Sequence, residues 1–323
     1  MTTADQHRRS ASDQHRRSAS APEPLPPTQI GPRLFEWGSR TYVMGIVNVT
    51  PDSFSGDGLL ATAAGPTTSA GATGARASVA RAADALAAAV AQARRMVDEG
   101  ADILDVGGES TRPGHEPVAE DEEAGRVVPV IASIHAALPD VPISIDSSKP
   151  AVAAAAIDAG ASLINDVWGV SPDDAMCRLA AARQVPIILM HNRATPEYRD
   201  FVAEFMADMR AALARAIAAG VPRQNVILDP GFGFGKTPAH NLIVMRELAR
   251  LRGLGQPVLL GTSRKSTIGR VLGGLPPEER LEGTLATTAI GIAAGVDIVR
   301  VHDVLANVRA ALVADGISRG DNL

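Results

Sequence analysis

Residues 104–114, with the sequence LDVGGESTRPG, combine several groups that can bind a ligand. A carboxylate accepts hydrogen bonds from N–H groups, whereas a guanidinium pairs with phosphate or carboxylate. The segment is therefore suited to a ligand that carries both N–H groups and an anionic group. Its polar residues are Asp105, at the end of an apolar run, and, after two glycines, Glu109, Ser110, Thr111 and Arg112, followed by Pro113.

Polar side chains also follow the other apolar runs that are suited to β-strands. Helix capping favours Ser, Thr, Asp and Asn at such places, but it does not favour Lys, Arg or His. Capping alone therefore does not explain the whole set, and a shared binding site is the better interpretation. The set comprises Asn48, Asp105, Asp146, Asn165, His191, Asp229, the group Ser263-Arg264-Lys265, Arg300 and His302.

The charges in this set predict the kind of ligand. Arg264 and Lys265 stand where a helix is expected to begin, and cations oppose the helix dipole there unless an anion binds at the same place. Arg300 and His302 are two residues apart on a strand, so they point to the same side. The acids and the amide have no metal motif beside them and are suited to accept ligand N–H groups. We expect a flat, N–H-rich heterocycle on one side and phosphate or carboxylate on the other.

The apolar runs predict a single (β/α)₈ barrel of the TIM type. Runs rich in Val, Ile and Leu alternate with alanine-rich helical stretches, as is typical of parallel strands covered on both faces. Active sites of this fold lie at the carboxyl ends of the strands. An open doubly wound sheet is the alternative, but the first turn, VNVTPDS, lacks the glycines usual there. The eight runs are 41–49, 102–106, 142–146, 162–166, 186–190, 226–229, 257–261 and 297–301.

The sequence DPGFGFGKT at 229–237 raises the alternative of a nucleotide phosphate-binding loop. That motif requires a glycine at the position that Pro230 occupies, so we reject it. We interpret the glycines as places where the backbone approaches a ligand, with Phe232 or Phe234 offering a ring face. A flexible turn with two core phenylalanines is the other interpretation.

The composition limits the possible functions. The chain has 323 residues and a net charge of −5, which argues against general binding to nucleic acid or to anionic membranes. Aromatic residues make up only 3%, so aliphatic side chains must fill the core. Cys177 is the single cysteine, which excludes an internal disulfide. Since no apolar run approaches the roughly 20 residues of a membrane helix, we expect a cytoplasmic protein.

The beginning of the chain differs in kind from the rest. DQHRRSAS occurs twice in tandem at 5–20 and is followed by proline-rich sequence, which predicts a disordered tail over residues 1–40. The paired arginines lack the apolar segment of a twin-arginine export signal. We expect the barrel over residues 41–317, a short tail at 318–323, and a long mobile loop at 59–78, where Gly, Ala and Thr dominate.

Seven motifs in sequence order resemble the dihydropteroate synthase family and together span about residues 40–315. The resemblance implies condensation of 6-hydroxymethyl-7,8-dihydropterin diphosphate with 4-aminobenzoate, giving dihydropteroate and diphosphate for folate biosynthesis. It also implies that the enzyme uses Mg²⁺ as a cofactor, that it forms a homodimer, and that it is a target of sulfonamides. The motifs are MGIVNVTPDSFSGDG (44–58), DVGGESTRPG (105–114), ISIDSSKP (143–150), INDVWG (164–169), LDPGFGFGK (228–236), GTSRKS (261–266) and RVHDV (300–304).

The resemblance further implies three groups of binding residues and a catalytic set drawn from them. The pterin group is Asp105, Asp146, Asn165, Met190, Asp229 and Lys265. The diphosphate group is Asn48, Arg112, Arg300 and His302, with Asn48 also a ligand of Mg²⁺. The 4-aminobenzoate group is Phe54, Thr111, Pro113, Phe234, Lys265 and Ser266. The residues implied in catalysis are Asp105, Arg112, Lys265, Arg300 and His302.

In the implied mechanism, the bond to diphosphate lengthens first and leaves a pterin methylene cation, which the neutral aromatic amine attacks. Mg²⁺ and positive side chains neutralise the departing charge, and no protein nucleophile is needed. The chain departs from the family at MHNRA (190–194), where MHMRG is frequent, so Asn192 is expected to alter the packing against the pterin. Two alternatives stay open: a methyltetrahydrofolate:corrinoid methyltransferase, and a non-catalytic relative that keeps the fold.

Overall fold

The computed structural model describes residues 25–49, 72–109 and 118–320, and its strands confirm the predicted barrel. In chain order the strands are β1 (Thr28–Ile30), β2 (Arg33–Phe35), β3 (Tyr42–Asn48), β4 (Ile103–Gly107), β5 (Ile143–Asp146), β6 (Leu163–Asp166), β7 (Ile187–Met190), β8 (Val226–Asp229), β9 (Leu259–Leu260) and β10 (Ile298–Val301).

The last eight strands form one parallel sheet in the order β8-β7-β6-β5-β4-β3-β10-β9. A bridge between Leu228 and Val258 joins the two end strands, and the Leu228 N–H donates to the Pro257 carbonyl at 2.9 Å. The sheet therefore curves round until its ends meet, which brings all the carboxyl ends of its strands to one rim.

Helices follow the strands and cover the outside of the sheet. The glycines after several of them take a positive φ, for example Gly220 at 98°, as the sequence predicts for a helix end. The helices are α1 (Ala72–Asp98), α2 (Glu120–Ala137), α3 (Pro150–Asp158), α4 (Ala175–Arg183), α5 (Phe201–Ala218), α6 (Pro238–Arg252), α7 (Ser266–Val271), α8 (Leu281–Ala293) and α9 (Val304–Ser318).

The prediction of a disordered tail over residues 1–40 is wrong for its last part. Residues 28–35 form an antiparallel hairpin, and its residues Ile30 and Phe35 are buried. Trp37 donates from Nε1 to the Thr28 hydroxyl at 2.9 Å, and the Phe35 and Tyr42 rings lie 4.6 Å apart. These side chains bury enough apolar surface to order a segment whose composition alone does not predict a strand.

The hairpin packs against the amino-terminal end of the barrel. Its apolar side chains form one buried cluster with residues from seven of the barrel strands. We call this cluster the barrel floor, because it fills the barrel interior at the end opposite the polar rim. The strand residues of this cluster are Tyr42, Met44, Ile103, Leu163, Ile188, Ile227, Leu259 and Ile298.

Two other predicted boundaries need correction. Helix α1 begins at Ala72, so the end of the expected loop at 59–78 is helical, and its earlier part lies outside the described residues. Helix α9 runs to Ser318, and Arg319 donates to the Val296 carbonyl at 2.7 Å, so these two residues belong to the barrel and not to a tail. Within the described ranges, no helix is both long and apolar enough to cross a membrane.

Candidate active site

The strand register aligns the predicted rim residues. Asn48 is the backbone partner of Gly107, Gly107 of Asp146, and Asp146 of Asn165, so these positions form one row across β3 to β6. Asp105 lies two residues before Gly107 on β4, where its side chain points to the same face. Met190 and Asp229 pair at the ends of β7 and β8. The register thus brings the predicted pterin residues of five strands to the same end of the barrel.

Arg300 connects two of the acids. Its Nε donates to Asp105 Oδ2 at 2.5 Å, and its Nη2 donates to Asp146 Oδ2 at 2.5 Å. The Asn165 amide also donates to Asp105 Oδ2, at 3.2 Å. We call these four side chains the strand-end cluster; it gathers two carboxylates, an amide and a guanidinium within direct contact.

Three oxygens of the strand-end cluster are buried and have no hydrogen-bond partner among the described residues: Asp105 Oδ1, Asp146 Oδ1 and Asn165 Oδ1. A buried acceptor without a partner costs about 1–3 kcal/mol. Three such acceptors within one cluster are suited to a ligand that presents several N–H groups.

Burial controls the charge of the acids. It raises the pKa of Asp146 to about 7, an increase that Arg300 only partly offsets and that the nearby Asp105 carboxylate strengthens. Burial also raises the pKa of Asp229, against the effect of Lys265 and of a hydrogen bond from the Gly231 N–H. Around neutral pH, Asp146 therefore exchanges easily between acceptor and donor forms.

Lys265 supplies a second cation to the site from the residue before α7. Its Nζ donates to the Phe232 carbonyl and lies 4.3 Å from the centre of the Phe234 ring. Burial lowers the pKa of Lys265 to about 8, while the carboxylate of Asp229 acts in the opposite direction. Ser266 follows as the first residue of α7 and is exposed.

Two other basic residues of the predicted set have different surroundings. His302 lies beside Ser263, whose hydroxyl is 2.9 Å from His302 Nδ1. Arg264 has a φ of 59° and forms a two-point ion pair with Asp303, at 2.6 and 3.1 Å. Arg264 is thus already paired with a carboxylate, whereas Lys265 has no carboxylate in an ion pair with it among the described residues, so Lys265 is the better candidate of the two for binding an anion.

His191 also departs from the prediction. It is fully buried, and its Nε2 is 3.1 Å from Asp208 on α5, so the ring points towards the helix layer instead of joining the strand-end cluster. Its Nδ1 is 2.8 Å from Lys236 Nζ, a residue to which the sequence assigned no role. Alternation along a strand does not extend reliably past its last residue, which explains the wrong assignment.

A further charged group lies at the base of the 104–114 segment. Lys149 pairs with Glu109 and, at 2.5 Å, with Glu123, which is 1% exposed. The sequence motif SSKP contains this lysine, but its partners lie on other elements and were not predictable from spacing. Four predicted residues, Phe54, Thr111, Arg112 and Pro113, lie outside the described part of the chain.

Comparison with known proteins gives a consistent result. A family model described as pterin binding enzyme matches residues 71–302. Dihydropteroate synthase of Clostridium beijerinckii is 49% identical over 292 residues, which cover 90% of this chain and 99% of that protein.

Two solved structures of Xanthomonas albilineans dihydropteroate synthase share the fold and much of the sequence. The one with 4-aminobenzoic acid is 40% identical, has a TM-score of 0.78, and covers 91% of this chain and 98% of its own. The one in complex with 7,8-dihydropteroate is 39% identical, has a TM-score of 0.75, and covers 90% of this chain and 98% of its own. Sequence, fold and strand-end chemistry agree, and the chain belongs to the pterin-binding enzyme family and, within it, to the dihydropteroate synthases.

Proposed function

We propose that the rim around the strand-end cluster is where this transferase condenses 6-hydroxymethyl-7,8-dihydropterin diphosphate with 4-aminobenzoate, a step of folate biosynthesis. The observation that carries the proposal is the position of Arg300, hydrogen-bonded to both Asp105 and Asp146 beside three unpartnered buried oxygens. A pterin ring offers N–H groups along one edge, and its diphosphate needs cations close by. Both requirements are met within one group of touching side chains.

The pterin is held by hydrogen bonds to the acceptors and by packing against apolar atoms. Asp105, Asp146 and Asn165 each offer a free buried oxygen to its N–H groups, and Asp229 adds a carboxylate from β8. Met190, which is 3% exposed and pairs with Asp229 in the sheet, lies where it can line the ring pocket. The carboxylates also stabilise positive charge on the ring when the diphosphate leaves.

Arg300 and His302 bind the diphosphate together with Asn48 and with Arg112, which lies outside the described residues. The Nη1 of Arg300 makes no hydrogen bond to a described residue, so this part of the guanidinium can contact an anion while Nε and Nη2 stay on the acids. A guanidinium that contacts both the acids and the phosphate also keeps the pterin ring and the diphosphate group at a fixed distance from each other.

Mg²⁺ fits this site as an ion shared with the substrate. Among the residues that the structure describes, no group of three or more His, Cys, Asp or Glu side chains is arranged to hold a metal ion. Mg²⁺ does not need one, because it commonly binds one or two protein oxygens and takes its other ligands from phosphate and water. The side-chain oxygen of Asn48, in the same strand row as Asp146, would hold it. When bound, the ion neutralises charge on the leaving diphosphate.

The 4-aminobenzoate lies beside Phe234 and Lys265. The Phe234 ring offers a flat surface to the benzoate ring, while Lys265 and the hydroxyl of Ser266 hold its carboxylate. In the reaction the C–O bond breaks and its electron pair leaves with the diphosphate. The amine nitrogen then forms the C–N bond to the methylene carbon and releases a proton to water. No side chain forms a covalent bond.

We further propose a homodimer that forms through α8 and α9. Several large apolar side chains on these adjacent helices are exposed, and apolar surface of this kind marks interfaces. They are Ile290 (57%), Leu305 (42%), Leu312 (68%), Val313 (66%) and Ile317 (81%). The single, buried Cys177 supports a reducing, cytoplasmic location for this dimer.

The activity is tested by mixing the purified full-length protein with the pterin diphosphate, Mg²⁺ and 4-aminobenzoate. We expect diphosphate and dihydropteroate in equal amounts, and no dihydropteroate when 4-aminobenzoate is left out. Lys265→Met serves as the impaired control, because it keeps the bulk of the side chain but removes the cation. A wild-type protein that releases no diphosphate, or releases it without forming dihydropteroate, contradicts the proposed function.

A further inference from the structure

Lys236 lies at the end of the glycine-rich loop, which we define as residues 230–236, and its side chain is partly buried beneath it. Its Nζ lies within hydrogen-bond distance of four acceptors: the Gly231 carbonyl at 3.0 Å, the Phe234 carbonyl at 2.9 Å, the His191 carbonyl at 3.1 Å and His191 Nδ1 at 2.8 Å. Burial lowers the pKa of Lys236 to about 7; in its ammonium form the side chain has three N–H donors, and all of them are then engaged. The loop therefore folds around this one side chain.

His191 is held in the tautomer that accepts from Lys236. Its Nε2 lies 3.1 Å from Asp208 Oδ2, and a carboxylate there requires a donor, so the proton sits on Nε2 and Nδ1 is left as the acceptor. Burial lowers the pKa of His191 to about 4, so the ring is neutral at pH 7. Arg193 in turn pairs with Asp208 at 2.8 Å. A chain of contacts thus connects the loop to α5.

Two further backbone groups of the glycine-rich loop are also fixed. The Tyr198 hydroxyl donates to the Gly235 carbonyl at 2.7 Å, and the Gly233 N–H donates to Asn241 Oδ1 at 2.7 Å. Gly231 has a φ of 65°, and a Cβ there would lie 1.8 Å from the His191 carbonyl oxygen. The loop consequently approaches His191 so closely that a side chain at this position has no room.

The other face of the same loop holds Lys265. The Phe232 carbonyl accepts a hydrogen bond from Lys265 Nζ, and the centre of the Phe234 ring lies 4.3 Å from the same nitrogen. Phe232 and Phe234 both lie between Gly231 and Lys236 in the chain. The hydrogen bonds of Lys236 fix the carbonyls of Gly231 and Phe234, one before and one after Phe232. A shift of the loop therefore moves the ring and the carbonyl that orient Lys265.

We propose that Lys236 is a positioning residue for the 4-aminobenzoate side of the active site, acting through the glycine-rich loop on Phe234 and Lys265. This rests on the proposed function. Lys236 does not touch substrate: it is enclosed by carbonyls, His191 and the ring of Phe205, whose centre is 6.0 Å away. Its role is to keep the loop in one conformation, so that Lys265 needs no rearrangement when substrate binds.

The test is the steady-state kinetics of Lys236→Met, which keeps the length of the side chain but forms no hydrogen bonds. Loop displacements of about 1 Å are known to cost up to two orders of magnitude, so we expect the KM for 4-aminobenzoate to rise by about tenfold or more. The KM for the pterin diphosphate should rise by a smaller factor, because Arg300 holds Asp105 and Asp146, and only Asp229 and Lys265 of the pterin group form hydrogen bonds with this loop. Arg252→Met is the matched control, since it also removes a partly buried cation. Arg252 pairs with Asp297 at 2.9 Å, just before β10 and at the opposite end of the barrel. Both KM values should stay at the wild-type level.

A second variant keeps the test valid if Lys236→Met does not fold. Asp208→Asn retains the size of the side chain but weakens the control over the His191 tautomer, and it should raise the KM for 4-aminobenzoate in the same selective manner by a smaller factor. If Lys236→Met folds, unchanged KM values or an equal rise in KM for both substrates would overturn the proposal. If Lys236→Met does not fold, either of these results in Asp208→Asn would overturn it. Wild-type turnover is measured first: its absence refutes the proposed function, whereas these outcomes refute only the positioning role.

Discussion

The Nε of Arg300 donates to Oδ2 of Asp105 at 2.5 Å, across 195 positions of the sequence. The contact joins the last strand of the barrel to the second one. The same guanidinium reaches Asp146 on the next strand, so one side chain neutralises carboxylates from two strands. One residue near the end of the chain therefore holds together two acids of the binding site that come from earlier strands.

Arg300→Met should reduce both stability and turnover. It leaves Asp105 and Asp146 buried without their cation, and removing one partner of a buried ion pair costs about 3–5 kcal/mol. We expect a loss of that order in the free energy of unfolding at pH 7, measured with urea, and diphosphate release reduced by orders of magnitude. Arg183→Met is the control: it breaks an ion pair with Asp158 at 2.6 Å, but the two side chains are 38% and 61% exposed, so the loss should be below about 1 kcal/mol. Equal losses in the two variants contradict this account of the strand-end cluster.

The sequence predicts the strands and all four residues of the strand-end cluster, because continuous apolar runs are visible and polar residues mark their ends. Asp105, Asp146, Asn165 and Asp229 follow from this pattern, and the register brings them to one rim. The position of His191 does not follow, because the chain changes direction after β7 and the alternation of faces is lost.

Contacts between residues that are far apart in the chain also could not be predicted from the sequence. Lys236 belongs to a visible motif, yet its acceptors come from the loop itself and from His191, 45 positions away. The hairpin at residues 28–35 escapes prediction because its strands have three residues each and adjoin low-complexity sequence. What orders it is tertiary burial of Phe35 and Trp37 against the barrel floor, which no local pattern contains.

The pKa of Asp146 predicts an unusual pH dependence of stability. Its folded value of about 7 lies above the ordinary 3.8, so between these pH values the folded state binds a proton that the unfolded state does not. The contribution of Asp146 to the free energy of unfolding therefore falls as pH rises from about 4 to about 7. Urea unfolding of wild type and Asp146→Asn across this range should show that the variant loses less stability with rising pH. Asp158→Asn, at an exposed site, should keep the wild-type slope; an identical slope in Asp146→Asn contradicts the prediction.

Two truncations test the role of the hairpin as the floor of the barrel. A chain that begins at Leu25 keeps Phe35 and Trp37, whereas one that begins at Thr41 loses both. Removing a buried aromatic side chain costs about 3–5 kcal/mol, so the shorter chain should be destabilised by at least that amount. We expect the longer variant to match wild type in thermal unfolding and turnover. If the two truncated chains melt at the same temperature, the hairpin does not stabilise the floor.

Cys177→Ala tests whether the reaction proceeds without a protein nucleophile. Cys177 is 6% exposed on α4, and burial raises the pKa of its thiol to about 11, so the nucleophilic thiolate is scarce at pH 7. We expect kcat and both KM values within about twofold of wild type, and a loss of stability of about 1 kcal/mol from the buried side chain. Mass spectrometry of the enzyme during turnover should show no adduct, and loss of activity in the folded variant would count against the mechanism.

The exposed apolar residues of α9 predict which substitution should dissociate the proposed dimer. Leu312 is 68% exposed and lies one helical repeat after Leu305 on the same stripe of the helix. If α9 contacts a second copy, Leu312→Glu places a charge in an apolar interface, and burying an unpaired charge is costly. Sedimentation at micromolar concentration should then show a dimer for wild type and a monomer for the variant. Leu34→Glu, at a residue 54% exposed on the hairpin and not on α9, should stay dimeric. A wild-type monomer, or a Leu312→Glu dimer of unchanged affinity, removes α9 from the interface.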